Sequence, residues 1–213
     1  MNVFDAIAAR RTIRDFSDRP VAKDIVLRIL DAGLKAPSHD HLREWHFVLV
    51  EDAALRERLA SFFRRTRTED ELREMLDGWG MEDASQVEMY LDAIPKQAKM
   101  LMTAGALIVP CFRQSEPLLA EKRSLQELNA FASIWAAVEN VLVAAAAEGV
   151  FGVTKIISSP EERDHVRAAL DIPENYEIPC YLALGHPAED AVWHEQVPIV
   201  LDDRLHVDRW AVA

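Results

Sequence analysis

Three arginines and a threonine lie together near the start of the chain, in the segment from Arg10 to Arg14. If this segment is extended, Arg10, Thr12 and Arg14 share one face, because side chains alternate along extended backbone. Two forked guanidinium groups and a hydroxyl can hold a phosphate dianion through charge-assisted hydrogen bonds. The pattern therefore predicts an anion site. The alternative is that the arginines pair with nearby carboxylates such as Asp15 and Asp18.

A second group of polar side chains lies between residues 36 and 45, where a predicted helix joins a predicted strand. Loops in this position often carry binding residues. One interpretation is a metal site, because His39, Asp40, His41 and His46 offer imidazole and carboxylate ligands. No second pair of histidines with ligand spacing supports a metal site, and it stands as an alternative.

The spacing of apolar residues predicts the elements that position both groups. Helices are predicted at 2–9, 23–36, 130–148 and 160–170, and strands at 45–50, 104–111 and 181–184. The second helix has apolar residues at i, i+3, i+4 and i+7, and the last one follows a capping box that starts at Ser159. The run at 45–50 is apolar throughout, so we expect a strand buried on both faces. Residues 62–102 are helical in propensity but interrupted at Gly78, Gly80 and Pro95.

The predicted helix at 130–148 is apolar nearly all round, and Gly149 supplies its C-cap. A membrane span needs about 20 mostly apolar residues, and Glu139 and Asn140 interrupt this one in the middle. A helix in the core or at a subunit interface is therefore the preferred interpretation. The loose alternation of helices and strands indicates an α+β or α/β core in a single domain covering residues 1–213.

Composition limits the classes of function. Half of the 213 residues are hydrophobic, and the formal net charge of −12 disfavours nucleic acid and anionic membranes as partners. The two cysteines, Cys111 and Cys180, lie in apolar runs and are expected in the core. The N-terminal charge pattern is the reverse of a signal peptide, so a cytoplasmic protein is expected. The sequence contains no GxGxxG, GxxxxGK[ST] or CxxC motif, so any nucleotide cofactor is held in another way.

Five motifs, in order, resemble those of the FMN-dependent nitroreductase family. Residues 10–16 are similar to its Arg-Arg-Ser-Ile-Arg-x-Phe signature. Residues 36–38 and 45–48 are similar to its Ala-Pro-Ser-x-x-Asn-x-Gln-Pro-Trp-x-Phe element. The Ala-rich helix with Glu139-Asn140 resembles the family's central helix, and the segments at 166–173 and 182–187 resemble its two endings of the Leu-Gly-x-Pro type. Each motif is weak alone, and the five together cover most of the chain.

The resemblance implies an α+β fold, with a mixed sheet wrapped by helices, in an intertwined homodimer that binds FMN at the subunit interface. Arg10, Thr12 and Arg14 would hold the phosphate and ribityl chain, with Arg204 as a further phosphate partner. Pro37, Ser38 and His41 would line the isoalloxazine ring, in the family usually from the other subunit. The full set of cofactor-binding residues that it implies is Arg10, Arg11, Thr12, Arg14, Pro37, Ser38, His39, His41, Ile156, Ile157 and Arg204.

The sequence departs from the family pattern in two places. His41, Arg43 and Glu44 stand where the family has Asn, Gln and Pro, so the hydrogen bonds to the flavin pyrimidine edge must differ. An amide offers donor and acceptor in one plane, whereas a neutral imidazole offers them on opposite ring edges. The family segment that presents a backbone N–H to flavin N5 falls near residues 155–158 and lacks its glycine here.

The function that the resemblance implies is two-electron transfer from NAD(P)H to an acceptor such as a nitroaromatic or quinone, by a ping-pong mechanism. In this family the flavin carries the chemistry, and the protein binds and positions the reactants. Two alternatives stay open. One is a flavin-binding or sensing protein without catalytic activity, and the other is a dehydrogenase or dehalogenase on the same fold that uses residues 62–102 as a substrate lid.

Overall fold

The computed structural model describes residues 1–114, 118, 124–194 and 198–210. In these ranges the α-helices are α1 (Val3–Ala9), α2 (Lys23–Leu34), α3 (Ala53–Ser61), α4 (Glu69–Gly78), α5 (Ala84–Ala93), α6 (Gln97–Thr103), α7 (Asn129–Ala147) and α8 (Pro160–Leu170). The strands are β1 (Trp45–Leu49), β2 (Ala106–Arg113), β3 (Phe151–Ile156), β4 (Tyr176–Glu177) and β5 (Cys180–Gly185). Short 3-10 helices occur at His39–His41, Leu125–Leu128 and Leu201–Asp203.

The strands form one sheet in the order β1-β2-β5-β3, with β4 paired to the end of β2. All four ladders are antiparallel, so the expected mixed sheet is not what the described residues form. A parallel pairing occurs as an isolated bridge between Thr12 and Gly152, next to β3. β1 and β3 are the two edges of the sheet, and this order determines where each part of the candidate site lies.

The core has two parts, one on each face of the sheet. β2 shows why, because its alternate residues point to opposite faces. Leu107 and Val109 pack with residues of α3, α6 and α8, whereas Ile108 and Phe112 pack with residues of α2 and α7. The sheet therefore separates a helical layer of α2 and α7 from a second layer on the other face.

Several predicted elements agree with the structure, and some do not. α1, α2, α7 and α8 lie within two residues of their predicted bounds, and the 62–102 region is divided into helices at the predicted breaks. The strands β3 and β4 were not predicted, because neither has a continuous apolar run. The expectation that the strand beginning at Trp45 is buried on both faces is wrong. Of the β1 side chains only Trp45 is buried, since β1 is an edge strand.

α7 is the central helix of the α2–α7 layer. Together with the preceding 3-10 turn it forms a stretch, Leu125–Ala147, that is long and apolar enough to cross a membrane, and the mean hydropathy of 18 residues in it is 1.6. The helix contacts α1, α2 and β2, and it fully buries Ile134, Ala137 and Val141. The apolar residues of α7 that face α2 and β2 therefore form part of the core.

Candidate functional site

The arginine segment runs along the free edge of β3. The backbone N–H of Ile13 donates to the carbonyl oxygen of Gly152 at 3.3 Å, and Thr12 forms the parallel bridge with Gly152. Ile13 is fully buried. Because neighbouring side chains of extended backbone point to opposite faces, Thr12 points away from the face that buries Ile13. The structure therefore places Thr12 at the edge of β3, with Arg10 and Arg14 two residues away on either side.

Arg10 and Arg11 differ in how firmly they are held. Arg11 donates to the carbonyl oxygen of His194, and its guanidinium lies 5.6 Å from the centroid of the Trp193 ring. Arg10 Nε lies 3.9 Å from Glu139 Oε1, at the limit of an ion pair and with an exposed carboxylate. Such a pair contributes little. Arg11 is thus bound within the chain, whereas Arg10 can still take a ligand.

Arg14 is half-buried and makes no hydrogen bond or ion pair with any residue that the structure describes. Burial lowers the pKa of its guanidinium, while the charges of Asp92 and Asp15 act in the opposite direction. Asp15 accepts a hydrogen bond from Lys96 Nζ at 2.6 Å rather than from an arginine, and Asp18 is exposed. A half-buried cation without an acceptor is costly unless an anion binds. This geometry favours the anion site over pairing with the nearby carboxylates.

The end of β3 presents one backbone N–H to the same edge of the sheet. Ile157 N–H donates to the carbonyl oxygen of Pro179 at 3.1 Å, and Ser158 N–H donates to Glu162 Oε2 at 3.0 Å. In an antiparallel ladder successive N–H groups point to opposite sides, so the N–H of Ile156 points away from β5. The carbonyl group of Gly152, which accepts from Ile13 in the arginine segment, also points away from β5. Of the two isoleucines predicted near the cofactor, Ile156 is the one whose N–H is available.

A buried ion pair holds this end of β3 in place. Glu162 is fully buried, and both of its carboxylate oxygens lie 2.7 Å from Lys155 Nζ. Lys155 Nζ also donates to the carbonyl oxygen of Ile156 at 2.7 Å, and Ser158 donates to Glu162 through both its N–H and its hydroxyl. Burial lowers the pKa of the Lys155 ammonium, and the contact with Glu162 opposes this effect. The ion pair therefore fixes the backbone on both sides of Ile157.

The sequence around Ser159 predicts a capping box rather than this ion pair, with the Glu162 side chain bonded back to the Ser159 backbone. Ser159 does accept a hydrogen bond from the backbone N–H of Glu162, at 3.1 Å. The carboxylate, however, bonds to Ser158 and Lys155 instead of returning to Ser159. The only sequence signal was a lysine seven residues before a glutamate, which has no meaning until the strand and helix are known to meet.

The 36–45 loop has a strained backbone. Asp40, His41 and Arg43 have φ values of 47°, 53° and 52°, in the left-handed region that side chains other than glycine rarely occupy. Strain of this kind is concentrated at functional sites. The loop is held by Ser38 Oγ, which accepts from Arg43 N–H at 3.2 Å, and by His39 N–H, which donates to a serine hydroxyl on α7 at 3.1 Å.

The side chains of this loop differ in exposure and in hydrogen bonding. Pro37 and His41 are exposed, Ser38 is partly exposed, and the buried Nδ1 of His39 has no hydrogen-bond partner among the described residues. His46 lies apart from them and contacts Tyr176. The described residues include no group of three or more His, Cys, Asp or Glu side chains that could hold a metal ion.

The loop and the arginine segment lie at opposite edges of the sheet. The loop precedes β1, whereas the arginine segment and Ile156 flank β3, and β2 and β5 lie between these two strands. Three strand spacings amount to about 14 Å. One chain therefore does not bring Pro37, Ser38, His39 and His41 together with Arg10, Thr12 and Arg14.

Arg204 follows the last 3-10 helix, and its side chain is exposed. None of the hydrogen bonds or ion pairs among the described residues joins it to the arginine segment. The neighbouring tail exposes large apolar side chains, which include Ile199, Val200, Leu201, Leu205, Val207 and Trp210. The structure therefore does not place Arg204 beside the other predicted phosphate ligands in the same chain.

The two cysteines are free and buried. Burial raises the pKa of Cys111 to about 11 and that of Cys180 to about 12. A thiol with such a pKa stays protonated near neutral pH and is a poor nucleophile. Both residues pack in the core, as the apolar runs around them predicted.

A cavity of about 650 Å³ lies near the end of β3, on the side of Lys155. Its walls come from the segment after α3, from α4, from the turn before α6 together with α6 itself, from the end of β3, and from Glu162 in α8. The aromatic residues that line it are Phe62, Phe63 and Trp79. The charged residues that line it are Arg64, Arg65, Arg67, Lys99, Lys155 and Glu162. No local sequence pattern indicates this group, since its members come from five separate segments.

Comparison with known proteins agrees with this architecture. A protein of Archaeoglobus fulgidus with the provisional name NADH dehydrogenase/NAD(P)H nitroreductase is 27% identical over 208 residues, which cover 96% of each chain. The NADH dehydrogenase of Thermus thermophilus is 30% identical over 213 residues, covering 92% of this chain and 94% of that protein.

Solved structures show the same fold. The NADPH:FMN oxidoreductase of Vibrio harveyi, in complex with NAD+, superimposes with a TM-score of 0.70 at 20% identity, over 100% of this chain and 80% of that one. At this identity the likeness concerns the fold alone. The model of the nitroreductase family matches residues 7–186, which include the arginine segment, the strained loop and the end of β3. The chain therefore belongs to the nitroreductase family.

Proposed function

We propose that this protein is an FMN-dependent oxidoreductase that transfers two electrons from NAD(P)H to an acceptor such as a nitroaromatic or a quinone. The observation that carries the proposal is the half-buried, unpaired guanidinium of Arg14 beside the edge of β3 where Ile156 presents its free N–H. A phosphate and a hydrogen-bond acceptor on one ligand would satisfy both groups. The names of the similar proteins, which include NAD(P)H and FMN, support the same choice.

The residues present fit FMN. Arg10, Thr12 and Arg14 would bind the phosphate and ribityl chain, and the N–H of Ile156 would donate to the flavin near N5. When bound, FMN supplies the two-electron chemistry, and the protein contributes binding and orientation. Gly152 and Ile156 are four residues apart, about 13 Å along the strand. The cofactor would thus extend along β3 from the arginine segment to the strand end.

The flavin site is completed by a second copy of the chain. Pro37, Ser38, His39 and His41 lie about 14 Å from the β3 edge within one chain, so they can line the same ring only from a partner. A two-fold axis would place the loop edge of one copy against the β3 edge of the other, and would form two equal sites. The exposed apolar tail around Arg204 would be covered in the same assembly.

The proposed kinetic order is ping-pong. The sequence has no separate dinucleotide-binding motif, so the nicotinamide and the acceptor must approach the same exposed face of the flavin. One has to leave before the other can stack. Because both cysteines are free and the chain is anionic, we place the protein in the cytoplasm, with neither nucleic acid nor membrane as a partner.

Anaerobic reduction of the FMN-loaded protein tests this function. The visible absorbance of the oxidised flavin is followed after addition of NADH or NADPH, and then after addition of a quinone or nitroaromatic. The proposal expects bleaching by at least one nicotinamide, recovery of the absorbance with the acceptor, and parallel double-reciprocal plots in the steady state. Intersecting plots would show that donor and acceptor bind together, against the ping-pong order.

A flavin-binding protein without catalytic activity is the second candidate, and the replaced residues His41, Arg43 and Glu44 favour it. This candidate shares every FMN contact with the enzyme. It predicts FMN binding without bleaching by either nicotinamide, which is the outcome that would refute the enzymatic proposal.

A further inference from the structure

The cavity near Lys155 carries a charge that is opposite to that of the whole chain. The net charge of the protein is −12, yet the described residues that line the cavity include five cationic side chains and one carboxylate. From this reversal and from the aromatic walls, we propose that the cavity binds a planar organic anion, an aromatic ring with a carboxylate or phosphate group. A role of this anion in electron transfer rests on the proposed function. The binding of the anion in the cavity does not depend on that function.

Three of the cations are available to a ligand. Arg65, Arg67 and Lys99 have no carboxylate partner in the ranges that the structure describes. Arg64, by contrast, pairs with Glu57, which lies outside the cavity lining. An arginine fork is suited to carboxylate and phosphate oxygens, and two such forks separated by one residue can reach one anion.

The single carboxylate in the wall does not cancel these charges. Glu162 is fully buried, and its oxygens are occupied by Lys155 and Ser158. The Lys155 ammonium is likewise occupied by Glu162. The positive potential facing the cavity therefore comes from the unpaired arginines and Lys99, and it attracts anions although the whole chain is anionic.

The aromatic residues indicate that the ligand is flat. Phe62 and Phe63 pack edge to face with ring centroids 5.4 Å apart, and Trp79 forms another part of the wall. The Lys155 ammonium lies 4.7 Å from the centroid of the Phe63 ring and holds that ring in position. Fixed aromatic walls favour stacking or edge contacts with a second aromatic system.

The size of the cavity excludes a simple inorganic ion as the natural ligand. Sites for small organic molecules usually measure about 300–1,000 Å³, and this cavity has about 650 Å³. A phosphate or chloride ion would leave most of this volume and the aromatic walls unused. An aromatic anion would fill the volume and satisfy the cations at once.

The cavity adjoins the proposed flavin site at the end of β3. Lys155 lines the cavity and packs against Phe63 on the face of the sheet that also buries Ile13. The next residue, Ile156, presents its N–H to the free edge of β3, where the flavin is proposed to lie. A ligand in the cavity would therefore approach the proposed flavin at the end of β3. The anionic group could be the additional phosphate of NADPH or the carboxylate of an aromatic acceptor.

Calorimetric titration of the FMN-loaded protein can decide which of these two ligands the cavity binds. One pair of probes is 4-nitrobenzoate and the neutral 4-nitrobenzyl alcohol, and the other pair is NADP+ and NAD+. The two variants compared with the wild type are Arg65→Gln/Arg67→Gln and a control, Arg19→Gln/Arg28→Gln, which removes the same charge from exposed residues outside the cavity. FMN content and reduction by the nicotinamides are measured on the wild type in parallel.

We expect the more anionic member of at least one pair to bind the wild type more tightly than its counterpart. The Arg65/Arg67 variant should lose about ten- to a hundredfold in affinity for that probe, as for lost charge-assisted hydrogen bonds. The control should stay within about threefold, because distant surface charges are screened. A preference within the nitro pair identifies a carboxylated acceptor, and one within the nucleotide pair identifies the phosphorylated nicotinamide.

Equal affinities within both pairs, or an equal loss in the control, would overturn the proposal. The binding test needs no turnover. If NADH and NADPH fail to reduce the flavin while 4-nitrobenzoate still binds through Arg65 and Arg67, the proposed function is wrong and the anion site remains.

Discussion

At the scale of single residues, the site depends on cations that lack partners inside one chain. Arg14 is half-buried with no acceptor among the described residues, and Arg10 has only a 3.9 Å contact with an exposed carboxylate. Arg11, which stands between Arg10 and Thr12, is already bound to the backbone of His194. Spacing alone could predict the anion site, because alternation on extended backbone needs no knowledge of the fold. It could not tell which arginines remain free.

Replacement of Arg14 tests the anion site directly. We expect Arg14→Ala to weaken FMN binding about ten- to a hundredfold, since a charge-assisted hydrogen bond contributes about 1.5–3 kcal/mol. Arg19→Ala is the matched control, because Arg19 is exposed and lies outside the arginine segment. Fluorescence titration with FMN measures both. Equal affinities for the two variants would remove Arg14 from the site.

The buried pair of Lys155 and Glu162 makes a prediction about stability. Lys155→Met leaves the fully buried carboxylate of Glu162 without its counter-charge. Loss of one partner of a buried ion pair costs about 3–5 kcal/mol, and joint replacement costs much less. In urea unfolding we therefore expect Lys155→Met to be far less stable than Lys155→Met/Glu162→Gln. A single variant as stable as the double variant would show that the pair is not buried in solution.

At the scale of elements, the site depends on β3, which sequence patterns did not reveal. α2 and α8 were predictable because a local stripe and a local cap determine them. β3 contains Gly152, Thr154 and Lys155, so it lacks the apolar run that marked β2 and β5. The pairing register of β3 with β5 decides that the N–H of Ile156 points away from β5. This register depends on residues that are distant in sequence. For the same reason, the meeting of Lys155 with Glu162 could not be foreseen.

The close packing of β3 on β5 can be tested at Gly152. A Cβ atom there would lie 2.2 Å from the carbonyl oxygen of Ala183, so Gly152→Ala must displace the backbone of one strand. We expect loss of stability of about 1–3 kcal/mol, as for other overpacked positions, together with weaker FMN binding. Gly78→Ala is the control, because nothing lies within 4 Å of its Cβ position at the end of α4.

Melting temperatures and FMN titrations of the two glycine variants check this prediction. Gly78→Ala should be neutral or slightly stabilising, since alanine is the better helix former. If Gly152→Ala melts and binds FMN like the wild type, the arginine segment does not depend on the edge of β3 as described.

At the scale of the whole molecule, strand order separates the two halves of the predicted cofactor site. The motifs at 10–14 and 36–41 are close in sequence, and nothing local indicates that they lie at opposite edges of one sheet. Only the order β1-β2-β5-β3 shows this. The family resemblance implied that the ring-lining residues come from the other subunit, and the separation of the edges gives a physical reason for it. The proposed flavin site therefore needs two chains.

A heterodimer of two defective chains tests this central claim most directly. One chain carries Arg14→Ala and the other carries Ser38→Ala/His41→Ala, and two different affinity tags allow purification of the mixed dimer after co-expression. Each homodimer should bind FMN weakly. In the heterodimer one site receives both defects and the other receives none. We predict one tightly bound FMN per two chains, measured from the flavin absorbance. FMN binding as weak in the heterodimer as in the two homodimers would contradict a site shared between chains.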